Sequence, residues 1–125
     1  MSTFHKVPSG HFIVAFADVR YRSERVENAT SRYETDDRAT TAHYLSADRL
    51  SGYAVRTSGE LVYVFSDVKG RGDAIVSSAV ANGATHLDCF DGYLTTLYAR
   101  HGFIDYKRES NWTPGGPDVV YMQFS

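Results

Sequence analysis

A mixed α/β domain with few helices is the fold class that this 125-residue sequence predicts, and three stretches carry the prediction. Residues 52–56 and 60–66 are strand-like and joined by Thr57-Ser58-Gly59, a connection whose glycine can take the positive φ of a bulged hairpin. After Val68-Lys69-Gly70-Arg71-Gly72 the apolar period changes: Ala74, Ile75, Val76, Ala79 and Val80 share a helical face, and Gly83 offers a left-handed stop. Residues 103–108 and 118–124 read as two closing strands around the loop Asn111-Trp112-Thr113-Pro114-Gly115-Gly116-Pro117.

The other elements follow in order. The apolar run Phe12-Ile13-Val14-Ala15-Phe16-Ala17 predicts a strand over 11–21, buried on both faces and first in the centre of the sheet. Residues 22–38 are polar and aperiodic, which reads as loop with room for a short helix. Ser46 is placed to cap one helical turn over 47–50. Residues 85–90 form a short strand, and Leu94, Leu97 and Tyr98 share a face of a second main helix that Gly102 ends. At this length one domain over 1–125 is expected.

Composition narrows the function classes. Hydrophobic residues make up 42% and charged residues 22%, the proportions of a globular chain. The formal charge of -2 supplies no global field for a nucleic-acid backbone, although Lys6, Arg20, Arg22, Arg25, Arg32 and Arg38 could form a basic stripe. Cys89 is the sole cysteine, which excludes an internal disulfide and fits a reducing compartment. Residues 1–10 lack the apolar segment of a signal peptide, and no run approaches the ~18 apolar residues of a membrane span. A cytoplasmic protein without membrane attachment is the expectation, and the Asn28 and Asn111 glycosylation patterns are then accidental. His5, His11, His43, His86 and His101 show no metal-ligand spacing, so no metal is expected.

The chemistry concentrates at residues 64–74. A strand that ends in a glycine turn and feeds a helix presents unpaired amides and a positive dipole end at one spot, where anions bind. Glycines at 70 and 72 admit close approach of a phosphate, and small Ala74 keeps the helix start open. No Lys-Ser or Lys-Thr pair makes this a Walker loop, and the third glycine of a dinucleotide fingerprint is missing. A plain tight turn before an ordinary helix is the competing reading.

Val64-Phe65-Ser66-Asp67-Val68-Lys69-Gly70-Arg71-Gly72-Asp73-Ala74 resembles the pyrophosphate motif of the GNAT acyl-CoA N-acyltransferases, in which Arg or Gln precedes Gly and Gly/Ala by three and five residues. Lys69, Gly72 and Ala74 hold those positions. Leu97-Tyr98-Ala99-Arg100-His101-Gly102-Phe103 is similar to the family's Leu-Tyr-x-x-x-Gly-Phe signature, one helix, strand and helix further on. The sequence departs from the pattern at Lys69, at Asp91 in place of Asn and at Leu94 in place of Ala. The resemblance implies a GNAT-like mixed, mostly antiparallel central sheet of about six strands, with two main helices and a shortened N-terminal region. Short domains with Asp-Gly after the fifth strand also look like phage-encoded members.

By that resemblance the chain binds acetyl-CoA through Val64, Ser66, Lys69, Gly70, Arg71, Gly72, Asp73 and Ala74, and moves the acetyl group directly to a primary amine. Tyr98 would serve the leaving thiolate, and Asp91 or Glu60, directly or through water, would take the amine proton. Packing against Leu94 and Leu97 competes for Tyr98, and helix capping competes for Asp91. Cys89 reads as inert packing. Trp112 either folds over the acceptor channel or anchors its loop. The acceptor is a small molecule or a protein amine. The alternative is a catalytically degenerate domain of the same fold that serves as a binding or structural module, with a protein partner. Exposed strand edges would accommodate a homodimer.

Overall fold

The computed structural model describes residues 3–124. Along the chain run β1 (Phe4–Val7), α1 (Ser9–Arg22), α2 (Glu24–Ala29), α3 (Asp37–Thr40), β2 (Thr41–Ser46), β3 (Ser51–Arg56) and β4 (Leu61–Ser66). Then come α4 (Gly72–Ala81), β5 (His86–Phe90), α5 (Tyr93–Ala99), β6 (Phe103–Glu109) and β7 (Val119–Phe124). The strands form two antiparallel sheets in the orders β1-β2-β3-β4 and β5-β7-β6. The mixed α/β class, the hairpin around Gly59, the helix after the glycine loop and the two closing strands all stand as predicted. Gly83 and Gly102 end their helices with φ of 98° and 95°.

The strand predicted over 11–21 is instead the 14-residue helix α1. Its buried residues are Phe12, Ala15, Phe16 and Val19, a spacing of three and four that belongs to a helix. Ile13, Val14 and Ala17 fill the intervening positions with apolar side chains, which hides the period, and Val14 is 66% exposed. The capped turn predicted over 47–50 is likewise a hairpin reversal between β2 and β3. There Ser46 Oγ accepts from the Ser51 amide at 3.2 Å and donates to Asp48 at 2.7 Å. β2 itself was not foreseen, because buried His43 interrupts its apolar alternation. His43 Nε2 lies 2.7 Å from the Tyr33 hydroxyl.

The first sheet is covered on both faces. Tyr53, Val55 and Leu61 pack with Ile75, Val76 and Ala79 of α4, while Ala54, Tyr63 and Phe65 pack with Phe12, Phe16 and Val19 of α1. Strict alternation would put Leu61, Tyr63 and Phe65 on one face. A bulge reverses the parity, since Ala54 pairs with Val62 but Gly52 with Phe65, so that Tyr63 and Val64 together oppose Tyr53. Tyr63 takes a φ of 55° there, a conformation that non-glycine residues seldom adopt. No helix among the described residues is long and apolar enough to cross a membrane.

Candidate functional site

β4 and β5 run parallel but are joined only where they begin, by the Glu60–His86 bridge and the Thr85 amide donating to the Gly59 carbonyl at 2.8 Å. Beyond that point no ladder bond links them among the described residues, and a cleft of about 930 Å³ opens between the two sheets. β3 takes the other edge of β4, and β7 the other edge of β5. The bulged, free edge of β4 therefore borders the cleft, with half-buried Val64 and Ser66 in its wall.

The loop from Lys69 to Gly72 and the start of α4 line the same cleft. Arg71 is the N-cap of α4, and among the described residues no side chain caps that helix. The first helical amide with a carbonyl partner is Ile75, which donates to Arg71 at 3.0 Å. The Gly72, Asp73 and Ala74 amides are thus without acceptors among the described residues, as the first turn of a helix leaves them. Lys69 is exposed beside them, and Gly70, at φ 83°, has open space where a Cβ would project. This set fits an anionic diphosphate: three amides plus a cation, each bond to a charged oxygen worth ~1.5–3 kcal/mol.

Four residues of the expected donor site have structural engagements that the sequence did not announce. A Cβ on Gly72 would lie 3.0 Å from Leu97 Cδ2, so this glycine lets α4 pack closely on α5. Asp73 pairs with Arg100 at 3.2 Å and with His101 at 2.8 Å. Arg71 turns its guanidinium to Asp48, at 3.0 and 2.6 Å, and to Ser51 at 3.0 Å. Ser66 Oγ accepts from the Val68 amide at 3.1 Å and lies 2.8 Å from Ser51 Oγ.

Tyr98 comes to the cleft from α5, and the ring is buried, edge-on to Phe103. Its hydroxyl has no hydrogen-bond partner among the described residues, and the side chain is part of the cleft wall. Burial pushes the phenol pKa above its ordinary value, with Cys89 and Asp88 adding to the shift. The Cys89 thiol beside it is pushed up to about 12 by burial, which removes the thiolate that a covalent role would need.

The two carboxylates that the sequence offered for the amine proton are both held by arginines. Glu60 accepts from Arg56 at 2.8 Å. Asp91 accepts from Arg108 at 2.7 Å, a bond that holds its carboxyl below the usual range, and also from the Thr95 hydroxyl at 3.3 Å. Asp88 differs. It lies on β5 on the same face as His86, in the cleft wall, with no ion-pair partner among the described residues. The residue is exposed, yet partial burial of its carboxyl raises its pKa, and nearby Glu60 raises it further. No spacing in the sequence marked Asp88, because its distinction is the absence of a partner.

Arg56 is the hub of a second group that sequence did not assemble. It donates to both oxygens of Asp37 at 2.9 Å, and Asp37 also accepts from the Tyr63 and Thr41 hydroxyls. Burial alone would raise the Asp37 carboxyl, but the bonds from Arg56 and Tyr63 together outweigh it and lower the pKa. Trp112 is 97% exposed in the loop between β6 and β7 and borders the cleft. Among the described residues no cluster of His, Cys, Asp and Glu could hold a metal ion.

No protein-family model matches the sequence, and no curated protein matches it. Solved structures do resemble it in fold. A protein from Klebsiella pneumoniae described as an acyl-CoA N-acyltransferase is 19% identical with a TM-score of 0.55, over 99% of this chain and 97% of its own. The ribosomal-protein-S18-alanine N-acetyltransferase of Escherichia coli is 16% identical with a TM-score of 0.58, over 99% and 93%. A GNAT-family acetyltransferase of Staphylococcus aureus is 11% identical with a TM-score of 0.52, over the full length of both chains. The chain has the GNAT fold.

Proposed function

We propose that this chain transfers an acetyl group from acetyl-CoA to a primary amine by direct attack in the cleft between β4 and β5. One observation carries the reading: the free first-turn amides of α4, the unpaired edge of β4 and the unpartnered Tyr98 hydroxyl border the same cleft. Each is a polar group without a partner among the described residues, where a ligand would supply one. The fold shared with acyltransferases supports the same conclusion.

When bound, acetyl-CoA supplies an activated thioester carbonyl and a sulfur leaving group. The Gly72, Asp73 and Ala74 amides, with Lys69, hold the diphosphate, and the side chain of Arg71 acts on the loop rather than on the ligand. A main-chain amide on the free edge of β4, near Val64 to Ser66, polarises the carbonyl. Deprotonating an ammonium of pKa ≈ 10.4 at neutral pH costs about 4–5 kcal/mol, so the chain needs a carboxylate not already neutralised. Asp88 meets that need. Arg56 neutralises Glu60 at the closed end of the opening, where β4 and β5 are bridged, and Asp91 braces the start of α5 through Arg108.

The N–C bond forms as the C–S bond breaks. Of the two protons that the ammonium loses, one passes through Asp88 to solvent, and the other replaces the proton that Tyr98 gives to sulfur. Because burial raises the phenol further above a thiol near 8.5, Tyr98 first stabilises the charge as a hydrogen-bond donor and transfers its proton late.

Calorimetry with acetyl-CoA tests the donor half, using Gly72→Glu as the control. That substitution pushes on Leu97 and brings a carboxylate to the anion site. Absence of binding by the wild-type chain would remove the proposal. Mass spectrometry of lysates incubated with labelled acetyl-CoA then reports the acceptor.

A further inference from the structure

We propose that Asp48, a residue outside the cleft lining, is a positioning residue for the donor site and acts through Arg71. The inference rests on the acetyl-CoA reading given above. Arg71 is the N-cap of α4, so whatever holds its side chain also holds the backbone from which the Gly72, Asp73 and Ala74 amides project. Asp48 grips the guanidinium with both oxygens, at 3.0 and 2.6 Å. The carboxylate is itself fixed, accepting from the Ser46 hydroxyl at 2.7 Å and the Leu50 amide at 3.0 Å. A bidentate pair of this kind sets an angle as well as a distance.

Other bonds complete the clamp. Arg71 donates to Ser51 Oγ at 3.0 Å, Ser51 Oγ meets Ser66 Oγ at 2.8 Å, and Ser66 Oγ donates to the Val68 carbonyl at 2.7 Å. The Asp67 amide donates to the Leu50 carbonyl at 2.8 Å. The β2–β3 reversal and the loop before α4 are thereby one polar unit, and the amides aimed at the diphosphate are pre-set rather than ordered by the ligand. Removing the Asp48 charge should free Arg71 and fray the first turn of α4.

Asp48→Asn is the decisive variant, because its amide oxygen can still accept from Leu50 and keep the reversal folded while the two-pronged ion pair is lost. Acetyl-CoA binding should weaken about fivefold, the scale of a partly exposed ion pair. Arg71→Ala should lose a similar amount, and the double variant no more than either single one. In the free protein, hydrogen exchange at the Ile75 amide should quicken in Asp48→Asn while the Tyr53 amide is unchanged. Unaltered affinity in Asp48→Asn overturns the proposal, as does an Arg71→Ala loss that is much larger and adds to it, since Arg71 would then touch the ligand. If the wild type binds no acetyl-CoA, the function reading falls and exchange at Ile75 still decides the clamp: quickened supports it, unchanged overturns it.

Discussion

The Tyr98 ring packs edge-on to Phe103 with centroids 5.8 Å apart, so deleting the hydroxyl alone leaves that packing in place. Tyr98→Phe should lower kcat for acetyl transfer by about a hundredfold, the usual scale of a general acid, with acetyl-CoA affinity within about twofold by calorimetry. Full activity in this variant would favour the non-catalytic module instead. Asp88 leads to a pH prediction. Its folded pKa is raised, so it keeps its proton over a window that begins at the ordinary value near 3.9 and ends at the raised one. A base must be free of that proton, so kcat/KM should fall as pH drops through the raised value, and Asp88→Asn should abolish this acidic limb. A limb that persists in Asp88→Asn assigns it to another group. The sequence singles out Tyr98 as a candidate because a seven-residue pattern surrounds it. It does not single out Asp88 as a candidate, since Glu60 and Asp91 are as acidic in sequence and only their arginine partners tell the three apart.

At the scale of elements, α1 shows how composition can mask a period. Phe12 and Phe16 sit one helical turn apart with ring centroids 5.6 Å apart, and both meet Phe65 of β4. That contact fastens α1 to the bulged strand bordering the cleft. Phe16 is 1% exposed, and Phe16→Ala should cost about 3–5 kcal/mol in urea unfolding. A strand with two buried faces and a helix with one can share the same apolar run, and length is what separates them: fourteen residues is long for a strand and ordinary for a helix. The hairpin, α4 and α5 were readable because glycines punctuate them. β2 was not, because a hydrogen bond to Tyr33 pays for burying His43, and that bond exists only once the α2–α3 segment has folded over the sheet.

For the molecule as a whole, a ligand that binds only the folded chain raises its stability by mass action. Acetyl-CoA at a hundred times its Kd should add about 2.7 kcal/mol and raise the melting temperature by about 10 °C for a domain of this size. The shift should shrink in Asp48→Asn at the same ligand concentration, and a wild-type shift near zero would speak against donor binding. The sequence by itself determined the α/β class, the strand–glycine loop–helix unit and the second helix with Tyr98, because each depends on neighbours within about ten residues. Only the tertiary structure decided how those parts meet. The parting of β4 from β5, the free carboxylate of Asp88 and the hold of Asp48 on Arg71 join residues far apart in the chain, and local pattern carries no information about which charge will find which partner.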